Sequence, residues 1–151
     1  MDSVKGNEEK KAYLNQFIQC KDALKRIEEQ IDEFEQQESS PRISNMDIGI
    51  HGSRVIKDLS DYIVKKDELM SKMIQARYKR VSTYSDIFQA IEAIPDEREQ
   101  QVLTLRYIKG LKWEEIAVKM HVEWAQVHRI HAKALQHFKI PEENVSQCDK
   151  L

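Results

Sequence analysis

Seven apolar side chains, Tyr13, Phe17, Cys20, Leu24, Ile27, Ile31 and Phe34, recur at alternating spacings of four and three. This is a heptad seam, by which a helix buries one narrow stripe against another helix. The positions between are mostly Glu, Lys, Asp and Gln, good helix formers on a solvated face. The pattern predicts a helix over about 10–36 and demands a helical partner. A second pattern supplies one. Over about 54–93, Ile56, Leu59, Ile63, Met70, Met73, Tyr84, Ile87 and Ile91 fall on one seam, interrupted by Lys66, Arg77 and Arg80. A continuous helix there would span about 60 Å at ~1.5 Å per residue. Ser82, Thr83 and Ser85 are a candidate kink. The simplest fold of residues 1–93 is an antiparallel helical hairpin. Such a hairpin buries little by itself, so a homodimer through these helices is as natural as a lone hairpin.

The hairpin loop, residues 37–53, is rich in turn formers: Ser39, Ser40, Pro41, Ser44, Asn45, Gly49, Gly52 and Ser53. It is long for a connection in a compact domain. Elsewhere breakers are scarce, with four Gly and three Pro in 151 residues, as a helical protein requires. A mean hydropathy of −0.66 points to amphipathic helices rather than helices buried all round. No apolar run approaches the roughly 20 residues of a membrane span. The polar N-terminus has no apolar signal-peptide core, so the expected location is the cytoplasm. Cys20, on the first seam, and Cys148, in a loose tail, lie too far apart to form a metal or redox motif.

The punctuation changes at Ile94-Pro95-Asp96. Pro95 ends one helix, and Asp96 with Glu99 three residues on forms an Asp version of a capping box. The helix that follows carries Val102, Leu103, Leu105 and Tyr107, and Gly110 stops it. A short helix runs from Trp113 to about Met120. His121-Val122-Glu123 make a three-residue turn. The last helix runs from Trp124 to about Lys139 with Val127, Ile130, Ala134, Leu135 and Phe138 inward, and Pro141 closes it. Residues 142–151 read as a disordered tail. The chain is thus expected to be all-α: a helical hairpin or coiled coil over 1–93, then a three-helix helix-turn-helix over 94–141.

Charge separates these parts. Residues 1–40 hold ten acidic and six basic side chains; residues 94–140 hold six acidic and eight basic. From Trp124 to Ile140 there is no acid: the charged residues are Arg129, Lys133 and Lys139, joined by His128, His131 and His137. A local basic face on a chain of net charge −2 points to the DNA phosphate backbone.

These residues carry a resemblance. Ile94-Pro95, Val102 to Tyr107, Gly110 to Ala117 and Val127 to Leu135, with the close Ile130-x-Ala132-Lys133-Ala134-Leu135, resemble region four of bacterial sigma factors. That module reads a promoter −35 element in the major groove. Nothing in the chain resembles sigma region two. The whole layout is similar to small phage and prophage regulators of late genes, the ArpU-type proteins of Gram-positive bacteria. The resemblance implies duplex DNA as partner, contact with host RNA polymerase, and action in the cytoplasm of the bacterial host. It implies base contacts from Trp124, Ala125, Gln126, His128 and Arg129 in the first two turns of the last helix. Arg129 leads, because its planar fork can bond two acceptors on one guanine. It implies phosphate contacts from Lys133, Lys112, Lys139 and Arg106, the last with an internal pair to Glu115 as an equal alternative. Lys112 and Glu123 stand where the family has helix-capping Ser or Thr.

Other readings compete. A phage DNA-packaging protein like a small terminase subunit also joins a helix-turn-helix to helical oligomerisation segments, although its DNA domain comes first. A coiled-coil protein acting on RNA polymerase would not bind DNA at all. His128 and His131 have a metal-ligand spacing but no third ligand nearby, and Ile130-His131-Ala132 is expected on the core side. Trp113 and Trp124 read as packing residues. No Gly-rich phosphate loop, nucleophile elbow or paired carboxylates mark an enzyme, and no cofactor is implied.

Overall fold

The computed structural model describes the backbone of residues 2–38 and 52–142, and the side chains of 5–37 and 59–142. The expected loop and tail, with Ile56 and Cys148, lie almost wholly outside these residues. The described residues form α1 (Asp2–Glu38), α2 (Gly52–Glu92), α3 (Glu97–Leu103), a π-helical turn (Thr104–Ile108), α4 (Trp113–Met120) and α5 (Trp124–His137). There is no strand among them, and the fold is all-α. α1 starts at Asp2, well before the first seam residue. α2 runs unbroken through Ser82, Thr83 and Ser85; isolated hydroxyl side chains leave every backbone hydrogen bond in place.

The chain divides into two compact units, Met1–Gln19 with Val81–Leu151, and Cys20–Arg80. The first has a dense core. Leu14 and Phe17 of α1 and Ile87, Ile91 and Ile94 pack with Leu103, Tyr107, Ala134, Leu135 and Phe138. Leu14, one residue past the expected Tyr13, is fully buried, while the Tyr13 ring lies 6.0 Å from that of Phe138. A third element therefore widens the buried stripe of α1 beyond the two positions per heptad that a coiled coil uses. Lys10 Nζ donates to the Leu135 carbonyl at 2.6 Å, placing a cation at the C-terminal end of α5, where the helix dipole favours it.

In the second unit Leu24 and Ile31 of α1 are buried. The α2 positions that are half-buried there are Tyr62, Lys66, Leu69, Met73, Ala76 and Arg80. Of the expected seam only Met73 is among them; Leu59, Ile63 and Met70 are exposed. Lys66 and Arg80, both half-buried in the seam, explain the shift. Lys66 pairs with Glu35 at 3.3 Å, with its ammonium 5.9 Å from the Tyr62 ring; Lys65 lies over Phe34 at 5.7 Å. Long cationic side chains can line a seam when their stems cover apolar surface and their heads reach an acid. Phe34 and Tyr62 stack at 5.0 Å, and Arg77 pairs with Glu28 at 3.2 Å.

Candidate nucleic-acid interface

Each helix of the C-terminal segment begins where a local signal dictates. Asp96 Oδ1 accepts from the N–H of Arg98 (2.8 Å) and Glu99 (3.3 Å), so the N-cap of α3 forms as expected. The reciprocal half does not. The Glu99 carboxylate is buried and receives His137 Nδ1 at 2.7 Å, tying the start of α3 to the end of α5. Gln100 Nε2 takes over at the corner, donating to the Ile94 and Glu92 carbonyls.

The π-helical turn is the element the sequence reading lacked. Lys109 N–H reaches Thr104 O and Leu111 N–H reaches Leu105 O, both at 3.0 Å, and Gly110 takes φ +69°. The left-handed glycine ends the helix here. The extra residue in the turn lets one short segment serve two cores. Leu103 and Tyr107 join the first, whereas Leu105 packs with Ile116 and Val127 under the helix-turn-helix.

α4 has no side-chain cap at Lys112; Glu115 accepts the Lys112 N–H at 2.8 Å. His121 ends α4 in the left-handed conformation at φ 54°, and Val122 N–H bonds Ala117 O at 3.1 Å. α5 starts after Glu123, also without a side-chain cap. Its inward face is Val127, Ile130, His131, Ala134 and Leu135, with Phe138 just past its end. Its outward stripe is Ala125, Arg129, Ala132 and Gln136, all exposed and spaced four, three and four. Ala132, expected toward the core, is thus outside: a residue one position past a buried one turns about 100° away. Ala132 and Gln136 are surface residues that the sequence reading missed; the i, i+4, i+7 pattern running from Arg129 and Ala125 would have found them.

Beside this stripe lies an aromatic ladder. The Arg106 guanidinium sits 4.4 Å over Trp113 and donates to Leu111 O at 2.9 Å; it makes no pair with Glu115. Trp113 packs on His128 and His131, each at 4.7 Å, and His128 packs on Trp124 at 4.1 Å. His128 is half-buried, and its Nε2 is enclosed with no hydrogen-bond partner among the described residues. Trp124 is 55% exposed. His131 is buried and meets the Tyr107 hydroxyl at 2.9 Å. Burial first, then the charges of Lys11, His128 and Arg106, pull its pKa down to about 4. The ring is therefore neutral and shares this hydrogen bond with the phenol, whose own pKa burial pushes up to about 12.

The expected side chains divide accordingly. Trp124, Ala125 and Arg129 stand exposed on α5, Gln126 is half-buried, and His128 and Arg106 are held in the ladder. Lys112, Lys133 and Lys139 are exposed at the start of α4, on α5 and just past its end.

Residues 96–139 match the family model of sigma-70, region 4. The segment is a sigma-region-4-like helix-turn-helix. The match opens on the Asp96 cap and closes one residue past Phe138. Sigma region 4 is a family of DNA-binding domains, and the match covers this segment of the chain. No curated protein and no solved structure matches the chain. The core of the region-4-like segment extends beyond the matched residues, because Leu14, Phe17, Ile87, Ile91 and Ile94 complete it. No described helix is long and apolar enough to cross a membrane, and no group of three His, Cys, Asp or Glu among the described residues could hold a metal.

Proposed function

We propose that the protein binds duplex DNA at a promoter by laying α5 in the major groove, and that it regulates transcription of phage or prophage genes. One observation carries the reading: α5 has an acid-free outer face whose stripe sets Arg129 between two alanines. Small neighbours let the helix backbone approach the groove floor, and Arg129 then reaches the O6 and N7 acceptors of guanine. Trp124, Ala125 and Gln126 meet bases in the first turn. His128 contributes by holding Trp124. Lys112, Lys133 and Lys139 contact phosphates, and Arg106 offers the part of its fork not taken by Leu111. The phage setting rests on the resemblance of layout, and contact with RNA polymerase on the likeness to sigma region 4.

The test is fluorescence-anisotropy binding to DNA fragments from the gene's own neighbourhood against scrambled DNA, over a salt series. Selective binding that weakens with salt is expected. Arg129→Ala should cost about 1–3 kcal/mol and relax selectivity, whereas Lys133→Ala should weaken all DNA alike and lower the salt slope by about one. Absence of binding to every fragment at low salt would overturn the proposal.

A further inference from the structure

Trp124 is 55% exposed, although it is the largest side chain on α5. It is also held in place. Its ring lies 4.1 Å from that of His128. Trp113 packs on His128 in turn, at 4.7 Å, and the Arg106 guanidinium covers Trp113 at 4.4 Å. Three side chains, from the π-helical turn, α4 and α5, thus back one indole. His128 Nε2 is enclosed with no hydrogen-bond partner among the described residues. An enclosed, unpaired nitrogen is a cost. A fixed, exposed indole offsets it once a ligand arrives, because an ordered group loses less freedom on binding.

The charges around the ring say what it meets. Glu123 and Ala125 flank Trp124, and both are exposed. The lysine and arginine side chains of α5 start only at Arg129, about 7.5 Å farther along the axis. A carboxylate beside the indole repels phosphate, so this end of α5 suits base edges rather than the backbone. In a helix-turn-helix the N-terminal residues of the recognition helix are the ones that contact base edges. An indole brings one N–H donor, no acceptor and a wide apolar face. On the floor of the major groove the apolar group is the C5-methyl of thymine. Ala125 adds a small apolar side chain next to the indole, of a kind that suits the same methyl group.

We infer, on the reading that α5 enters the major groove, that Trp124 recognises the C5-methyl group of a thymine in the bound site. The ladder behind it sets the position of the indole before DNA arrives. Arg129 and Trp124 then divide the work: the guanidinium reads hydrogen-bond acceptors, and the indole reads a methyl group.

The test uses the full chain and the duplex fragment from its gene's neighbourhood that it binds most tightly. The fragment is made once with thymine and once with deoxyuridine, which lacks only that methyl group. The wild type should bind the deoxyuridine duplex about three- to fivefold more weakly, as expected for one buried methyl group. Trp124→Ala should keep its helical circular dichroism, because the side chain is largely exposed, and should bind both duplexes alike. Arg129→Ala should bind both more weakly and keep the wild-type ratio. Equal wild-type binding to the two duplexes, or a ratio that survives Trp124→Ala, would overturn the inference and leave DNA binding by α5 standing. Absence of binding to every fragment would overturn the reading of α5, and this inference with it.

Discussion

The same two helices live in two different settings. In the unit formed by Met1–Gln19 and Val81–Leu151, α1 and α2 meet the C-terminal helices, and Leu14, Ile87 and Ile91 are buried completely or nearly so. Among the described residues of Cys20–Arg80 they meet only each other: α1 buries Leu24 and Ile31, and α2 buries no described side chain. A heptad seam says that a helix pairs with something. How much it buries depends on how many elements close over it. Full burial of an aliphatic side chain is worth about 1.5–3 kcal/mol, so stability concentrates where a third element arrives.

The sharpest way to break this contrast is to truncate one side chain in each unit. Leu14→Ala should destabilise the Met1–Gln19 and Val81–Leu151 unit by about 2–5 kcal/mol, because the cavity cannot collapse inside a dense core. Leu69→Ala, in the half-buried seam, should cost about 1 kcal/mol or less. Chemical denaturation with amide exchange to assign each unit reads both; equal costs would abolish the distinction.

Acid should act on one unit only. Unfolded His131 takes up a proton as pH falls below about 6.5, whereas the folded ring resists until about 4. Its contribution is complete above pH 6.5 and is lost as pH falls through that window. From pH 7 to 4.5 the C-terminal unit should lose about 2 kcal/mol, allowing for water near the ring. His131→Leu should flatten this slope while leaving the Cys20–Arg80 exchange rates unchanged. A slope equally steep in the variant would assign the acid sensitivity elsewhere.

The smallest effect is expected at the turn of the helix-turn-helix. His121 holds φ 54°, a conformation that costs a side chain about 1–2 kcal/mol and glycine nothing. His121→Gly also makes the unfolded chain more flexible, so the net should be stabilisation of up to about 1 kcal/mol, seen as a rise in Tm. A fall in Tm would mean that the His121 side chain contributes contacts of its own.

Much of this was legible in the sequence. The Asp96 cap, the Gly110 stop and the buried face of α5 each follow from one local signal. The candidate surface was legible through Ala125 and Arg129. The rest depended on tertiary partners. Lys66 and Arg80 hide the true seam of α2, because apolar periodicity cannot count a lysine whose stem packs while its head finds Glu35. Glu99 has the spacing of a cap but is claimed by His137, 38 residues away. His128 stands in the first two turns of α5 yet is held between two indoles that only the fold brings together.

Those indoles have a practical consequence. The chain has two tryptophans, and both flank His128. Intrinsic emission therefore reports on this one place, with no dye attached. Trp124, largely in water, emits at longer wavelength than half-buried Trp113. Anything that settles against the start of α5 shifts the colour of Trp124 first.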